Sequence, residues 1–473
     1  MHAFSSMVAG QKTRGGAQLP VANPWNGESV GTVELATSQI VEQALKAGQR
    51  AEKIAAHMPA HQRIAILQGL AERMRAHGPE LAELMQREAG KPIALARAEV
   101  QRAHDTFTFA SQVVAQGNEL LDLGQAQPAQ GRYGLVRRFP LGLLTAITPF
   151  NFPLNLVAHK LAPAIAAGCP LIIKPSPNAP LTAFRLAELA LDAGLPAECL
   201  SVILPDLQDM QPLLTDPRVK IVSFTGSAAV GWQLKSLAAH KKVLLELGGN
   251  AAVVVCKDAD LDQAVNRTLS GGFAYAGQSC ISVQRVLLAR EIAQEFTELL
   301  LRRLPEKVPV GDPAEEKNVC GPVINELAAE RLTAWLTEAR VLGAKMLVEG
   351  KRHNLLLEPS VLENVPDHAK LGHEEAFGPL ICLETFEKVE TALQRVNQSR
   401  YGLQAGIFTQ DIRVIWQALE TLQVGGLIHN DVPTFRVDQM PYGGVKDSGL
   451  GREGPRYAVE DFTEPRLLVL KPD

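Results

Sequence analysis

The chain has 473 residues, 46% of them apolar, and its 47 Lys and Arg against 51 Asp and Glu leave a formal charge of −4. That length exceeds what one hydrophobic core usually supports, so two or three domains are expected. The lack of a basic excess excludes nucleic acid as an expected partner. The longest apolar candidate, residues 161–173, is interrupted by Pro163, Gly168 and Pro170 and falls short of the roughly 20 residues of a membrane helix. No charged start leads into an apolar run, so neither a signal peptide nor a membrane partner is expected. Six cysteines lie far apart, with no CxxC pair and no zinc-like histidine spacing. They read as reduced thiols of a cytoplasmic protein that binds no metal.

In chain order, the segment 23–27 is punctuated by Pro24 and Gly27, and two helical patterns follow. Ile40, Ala44, Ala47 and Ala51 share one face of the first; Ile64, Leu67, Leu70, Ala71 and Met74 share one face of the second. From Leu143 the texture changes. Short apolar runs at 143–147, 171–173, 202–204, 221–224 and 251–255 alternate with helical stretches such as 181–191. Runs too apolar for one solvated face predict a parallel sheet covered by helices on both sides, an α/β protein. Segments 133–140 and 465–471 read as strands outside that alternation, suited to subunit contacts.

Several segments carry chemistry. Phe224, Thr225, Gly226 and Ser227 end an apolar strand and open a helix, a turn whose free N–H groups suit a pyrophosphate, although it is not GxGxxG. Glu246 ends the next apolar run and precedes Gly248 and Gly249, which leave room beside it for a substrate or water. Thirty-four residues on, Gly277, Gln278 and Ser279 lead into Cys280. Thr148, Pro149, Phe150, Asn151, Phe152 and Pro153 form another segment, with Lys174, Pro175, Ser176 and Pro177 after it. Glu375, Ala376, Phe377, Gly378 and Pro379 come later, and the block from Met440 to Gly449 last.

In this order and spacing the segments resemble the aldehyde dehydrogenase superfamily from about residue 20 to the C-terminus. The resemblance implies an α/β fold with a Rossmann-like cofactor domain (residues 1–121 and 141–246), an α/β catalytic domain (247–445) and a small β oligomerisation element (122–140 and 446–473). It implies a homodimer or homotetramer, and NAD or NADP as cofactor. Cys280 corresponds to the nucleophile, helped to ionise by a nicotinamide or a helix end. Asn151 corresponds to an oxyanion donor and Glu246 to the general base that activates water. On the cofactor side it implies Pro149, Lys174, Ser176, Gly226, Ser227, Glu375 and Phe377. Many strictly NAD-using members have a glutamate where this chain has Pro177, which leaves the choice between NAD and NADP open.

Three further positions bear on the substrate. Arg102 resembles a phosphate-holding arginine of non-phosphorylating glyceraldehyde-3-phosphate dehydrogenases. His159 stands where carboxylate-using relatives carry arginine, and Arg436 precedes the Met440 block. Together they imply a small anionic aldehyde bearing phosphonate, phosphate or carboxylate, oxidised through a cysteinyl thioester to its acid. The competing readings are a CoA-acylating dehydrogenase, disfavoured by the presence of Glu246, and a catalytically idle structural protein on the same fold.

Overall fold

The computed structural model describes residues 2–238 and 240–471. The alternating apolar runs build two open sheets. In the first, eight strands lie in the order 449–450, 242–246, 219–225, 143–147, 171–174, 200–202, 6–8 and 11–13. The five central strands are parallel, and the outer ones join antiparallel. Alternation sends neighbouring side chains to opposite faces. Leu144, Ala146, Leu171 and Ile173 therefore enter one core with the helices Ala60–Ala76 and Leu181–Asp192. Leu143, Ile147, Ile172 and Val222 enter another with the helices Ser38–His57 and Ala228–Leu237. Both faces are dry, which is why the strand Leu143–Ile147 is buried at all five positions.

The second sheet has seven strands in the order 345–348, 360–363, 380–386, 283–289, 251–255, 404–408 and 426–429. All but the first run parallel. In a third, antiparallel sheet Tyr133–Pro140 lies between Thr463–Leu470 and Glu119–Asp122 and pairs with both. Leu467, Leu468, Val469 and Leu470 lie exposed along it.

Local differences from the sequence reading have simple causes. The apolar run 202–204 contributes only Val202 to the strand Leu200–Val202. Ile203 still donates to Ile173, but the Leu204 carbonyl turns to accept from Ala36. In the second helix Ile64 is only half-buried and Ile66 is buried instead. Residues 449–450, expected in the oligomerisation element, return to the first sheet and pair with Leu245 and Glu246. Among the described residues no helix is long and apolar enough to cross a membrane.

One buried ion pair ties the helical layer to the functional end of the first sheet. Lys91 Nζ lies 2.5 Å from Glu99 Oε2, both side chains almost fully buried, and also donates to the Asn151 carbonyl at 3.0 Å. Glu99 Oε1 accepts the Leu154 and Asn155 N–H groups at 3.0 and 2.9 Å. The pair thus holds the loop that leaves the strand Leu143–Ile147. Removing one partner of such a pair strands a buried charge, so Glu99→Gln should destabilise the protein by about 3–5 kcal/mol, read as a lowered urea midpoint. The double variant Lys91→Met, Glu99→Gln removes both charges, keeps an acceptor, and should recover more than half of that loss.

Candidate active site

The approach to Cys280 is built from strained backbone. Tyr275 and Ala276 take φ of 54° and 53°, a left-handed conformation that costs roughly 1–2 kcal/mol for a residue with a Cβ. Gly277 follows at 66°, where a Cβ would stand 2.1 Å from the Gly378 carbonyl oxygen. Buried hydrogen bonds hold the segment: Tyr275 Oη donates to the Ala89 carbonyl at 3.0 Å, and Gln278 bridges the Pro322 carbonyl and the Ile324 N–H. Cys280 therefore leaves a fixed turn rather than a helix N-terminus. Its sulfur lies 2.9 Å from Tyr442 Oη. Burial pushes the thiol up to about 12; Tyr442 and Arg436 pull it back and Glu375 adds to the rise.

Glu246 ends the strand Lys242–Glu246, buried, and its Oε2 has no hydrogen-bond partner among the described residues. Burial and then Glu453 raise its carboxyl well above the usual range, against Lys160, Arg436 and Arg452. Gly248 and Gly249 follow, and the space they leave is filled by protein. A Cβ at 248 would meet Glu375 Oε2 at 2.2 Å, and one at 249 the Cys280 carbonyl oxygen at 2.5 Å. These two glycines thus draw Cys280 and Glu375 against the end of the first sheet. Asn151 is buried, and its Nδ2 uses one hydrogen on the Gln278 carbonyl at 3.0 Å. Its second amide hydrogen remains for a ligand.

Two cavities meet at these residues. The larger, about 550 Å³, is lined by all seven residues of the cofactor set: Pro149, Lys174, Ser176, Gly226, Ser227, Glu375 and Phe377. The smaller, about 300 Å³, reaches from Arg102 and Phe152 to Tyr442. Cys280, Glu246, Leu247, Leu156 and Thr225 line both.

Comparison with known proteins agrees with this architecture. A family model described as the aldehyde dehydrogenase family matches residues 11–468. The chain belongs to the aldehyde dehydrogenase family. It is 38% identical over 469 residues to 3-sulfolactaldehyde dehydrogenase of Priestia aryabhattai, covering 99% of this chain and 98% of the relative. Aldehyde dehydrogenase 21 of Physcomitrella patens, solved in complex with the reaction product succinate, superposes with a TM-score of 0.96 at 38% identity, over 99% of this chain and 98% of that one. Glyceraldehyde-3-phosphate dehydrogenase GapN of Methanocaldococcus jannaschii, complexed with NADP, does so at 0.92 and 36% identity, over 96% of this chain and 99% of that one. The enzyme is an NAD(P)-dependent oxidoreductase, with the α/β aldehyde dehydrogenase fold.

The larger cavity of this aldehyde dehydrogenase fits such a dinucleotide. Lys174 has no carboxylate partner among the described residues, and burial brings its ammonium down to about 8. Burial raises Glu375 to about 7, and the Gly249 N–H, 3.1 Å away, lowers it. Both have donor or acceptor capacity free for ribose hydroxyls. Ser227 precedes the helix Ala228–Leu237 without capping it through its side chain, which leaves its hydroxyl and the helix end to a phosphate. Phe377, at φ of 50°, meets Phe150 edge-on with ring centroids 6.0 Å apart.

The substrate set requires correction. His159 does not line the smaller cavity. It is buried behind it, with Nε2 2.8 Å from Asp438 Oδ1, and burial followed by Arg436 lowers its pKa, so it is neutral rather than cationic. Arg102 does line the cavity, but its Nε and Nη2 already grip Asp438 at 3.2 and 2.9 Å, so its fork is not free for an oxyanion. Arg436 lines it too. It pairs with Glu453 Oε2 at 2.9 Å, while its buried Nε has no partner among the described residues. Burial would push the Asp438 carboxyl up, but His159 and Arg102 hold it well below the usual range. Burial likewise opposes Glu453, which Lys160 and Arg436 hold at about 2. Asp438, Glu453, Lys160 and Tyr442 had no role in the sequence reading. For Tyr442 a signal existed, since it lies in the Met440 block.

The wall made by Lys174, Ser176, Pro177, Gly226 and Ser227 carries no carboxylate to repel a 2′-phosphate. Pro177→Glu should therefore raise the Kd for NADP about tenfold or more and that for NAD much less, by like-charge repulsion in a partly desolvated cleft. Fluorescence titration of both nucleotides checks this; equal weakening would place the 2′-phosphate elsewhere.

Proposed function

We propose that the enzyme oxidises a small anionic aldehyde to its carboxylic acid through a thioester on Cys280. The observation that carries this reading is the junction: Cys280 and Glu246 line both the dinucleotide-sized cleft and the smaller cavity. A bound NAD or NADP supplies the hydride acceptor. The ionised sulfur of Cys280 attacks the aldehyde carbon, and the carbonyl oxygen takes the new negative charge. The free amide hydrogen of Asn151 stabilises that charge where it appears. Loss of hydride from the carbon leaves the thioester. Glu246, with an unpartnered oxygen beside the sulfur's cavity, takes a proton from water, whose oxygen forms the acid's new C–O bond as the sulfur departs. This need for a water base favours hydrolysis over transfer to CoA.

The charge balance supports an anionic substrate. Around the smaller cavity Lys91, Arg102, Lys160, Arg267 and Arg436 face Glu99, Asp438, Glu453 and Asp431 in ion pairs. While Glu246 holds a proton, one positive charge is in excess. The name of the Priestia relative, a 3-sulfolactaldehyde dehydrogenase, points to sulfonate beside phosphonate, phosphate and carboxylate as the distal group. The exposed leucines of the strand Thr463–Leu470 suit pairing with another copy in a dimer or tetramer.

Cys280→Ala should abolish turnover, and Asn151→Ala should slow the burst of reduced cofactor by about 10²-fold or more. Glu246→Gln should keep that burst and stall at deacylation. Because burial raises the Glu246 carboxyl, wild-type deacylation should rise with pH through a midpoint well above that of an ordinary carboxylate. Stopped-flow absorbance separates the phases, and full turnover by the Cys280 variant would overturn the mechanism.

Arg436→Met should raise KM for sulfonate- or phosphonate-bearing aldehydes by on the order of 10²-fold, the scale of a lost charge-assisted hydrogen bond, and should change the KM for propanal far less. Steady-state assays over the series decide it. A wild-type preference for propanal in kcat/KM would refute the anionic reading.

A further inference from the structure

Tyr442 is held on every side. Its N–H donates to the Glu453 carbonyl at 3.0 Å and its carbonyl accepts from the Glu453 N–H at 2.6 Å. The Arg436 guanidinium lies 3.6 Å from its ring centroid, and the residue is 3% exposed. A buried phenol hydroxyl needs a partner, and the partner here is Cys280 Sγ at 2.9 Å.

We propose that Tyr442 holds the Cys280 thiolate: its O–H donates to the sulfur, favouring the ionised form and aiming it for attack, while Arg436 on the ring face strengthens the donor. The inference rests on Cys280 being the nucleophile. Chemically, Cys280 loses its proton to water and Tyr442 keeps its own. A thiolate accepts a hydrogen bond better than a thiol, so the contact stabilises the ionised form. A cation against the ring draws density from the phenol and makes its hydrogen more acidic. Burial raises the phenol well above its ordinary range, with Cys280 adding to the rise, which suits a donor and not a base. Once the sulfur bonds to carbon its charge is gone and the contact weakens, so the stabilisation belongs to the state before attack. Tyr442 touches the reacting atom and acts before any aldehyde is consumed.

The test reads the sulfur directly. The full-length enzyme is alkylated with iodoacetamide across pH, and modification of Cys280 is followed by peptide mass spectrometry. Tyr442→Phe should slow alkylation at neutral pH about tenfold and move the midpoint upward by about one pH unit. Site-specific 3-fluorotyrosine at 442, a stronger donor of nearly the same size, should move it downward. A purely structural residue would not shift the midpoint in opposite directions. The fluorinated variant also keeps the test alive if the phenylalanine variant does not fold. Midpoints that stay with wild type, or that move together, overturn the proposal. Labelling needs neither aldehyde nor turnover, so a failed dehydrogenase assay and a failed alkylation shift are separate results.

Discussion

The two large sheets are joined by residues 247–250, and the site exists because this connection has no side chains at its middle two positions. Glu246 ends one ladder and Ala251 begins the next. At Gly248 and Gly249 the missing Cβ atoms let the Glu375 carboxylate and the Cys280 main chain come within van der Waals reach of the crossing. The Glu246 and Glu375 carboxylates and the Cys280 main chain thus converge on one short piece of backbone. Any side chain at 248 would push Glu375 out of the cleft, and any at 249 would lift the cysteine loop.

Around that crossing, charge is arranged in pairs rather than as isolated groups. A single buried ion carries a desolvation cost of several kcal/mol. Here each cation of the smaller cavity has a carboxylate beside it: Lys91 has Glu99, Arg102 has Asp438, and Lys160 and Arg436 share Glu453. Asp438 also accepts from Asn155 and His159, so one carboxylate orients three side chains from two helices. The cavity is therefore rigid and almost neutral, and Glu246, which forms no ion pair among the described residues, is raised by burial well above the usual carboxylate range.

Much of this was legible in the sequence because the relevant backbone is marked by residues with a physical reason to be there. The runs 143–147 and 251–255 are apolar throughout, as strands covered on both faces must be. The glycines at 248 and 249 read as room for a substrate or water, and in the structure they are close approaches of protein instead. The residues that the family resemblance implies for the cofactor, from Pro149 to Phe377, line one cleft. The substrate side was less legible for a different reason. Arg102 reads as a substrate-holding arginine and Asp438 is not singled out, and only a contact spanning 336 residues shows that the two neutralise each other. Sequence spacing carries the identity of a side chain but not of its partner. His159 likewise sits at the expected position on a helix with its ring turned to Asp438 instead of the cavity.

The return of residues 449–450 to the edge of the first sheet bears on how the protein is made. That sheet begins with residues 6–8 and is completed by a strand near the other end of the chain. Tyr442 and Glu453 stand just beside that last strand in sequence. Contacts of such long separation are closed late, after the loop entropy has been met. During synthesis the edge of Lys242–Glu246 therefore stays unpaired until residues 247–448 have emerged. A nascent chain can bury its cores early, yet Cys280 meets Tyr442 only when the segment carrying that tyrosine docks. Until then the Cys280 sulfur lacks the Tyr442 hydroxyl, and the contact between them is among the last that folding can make.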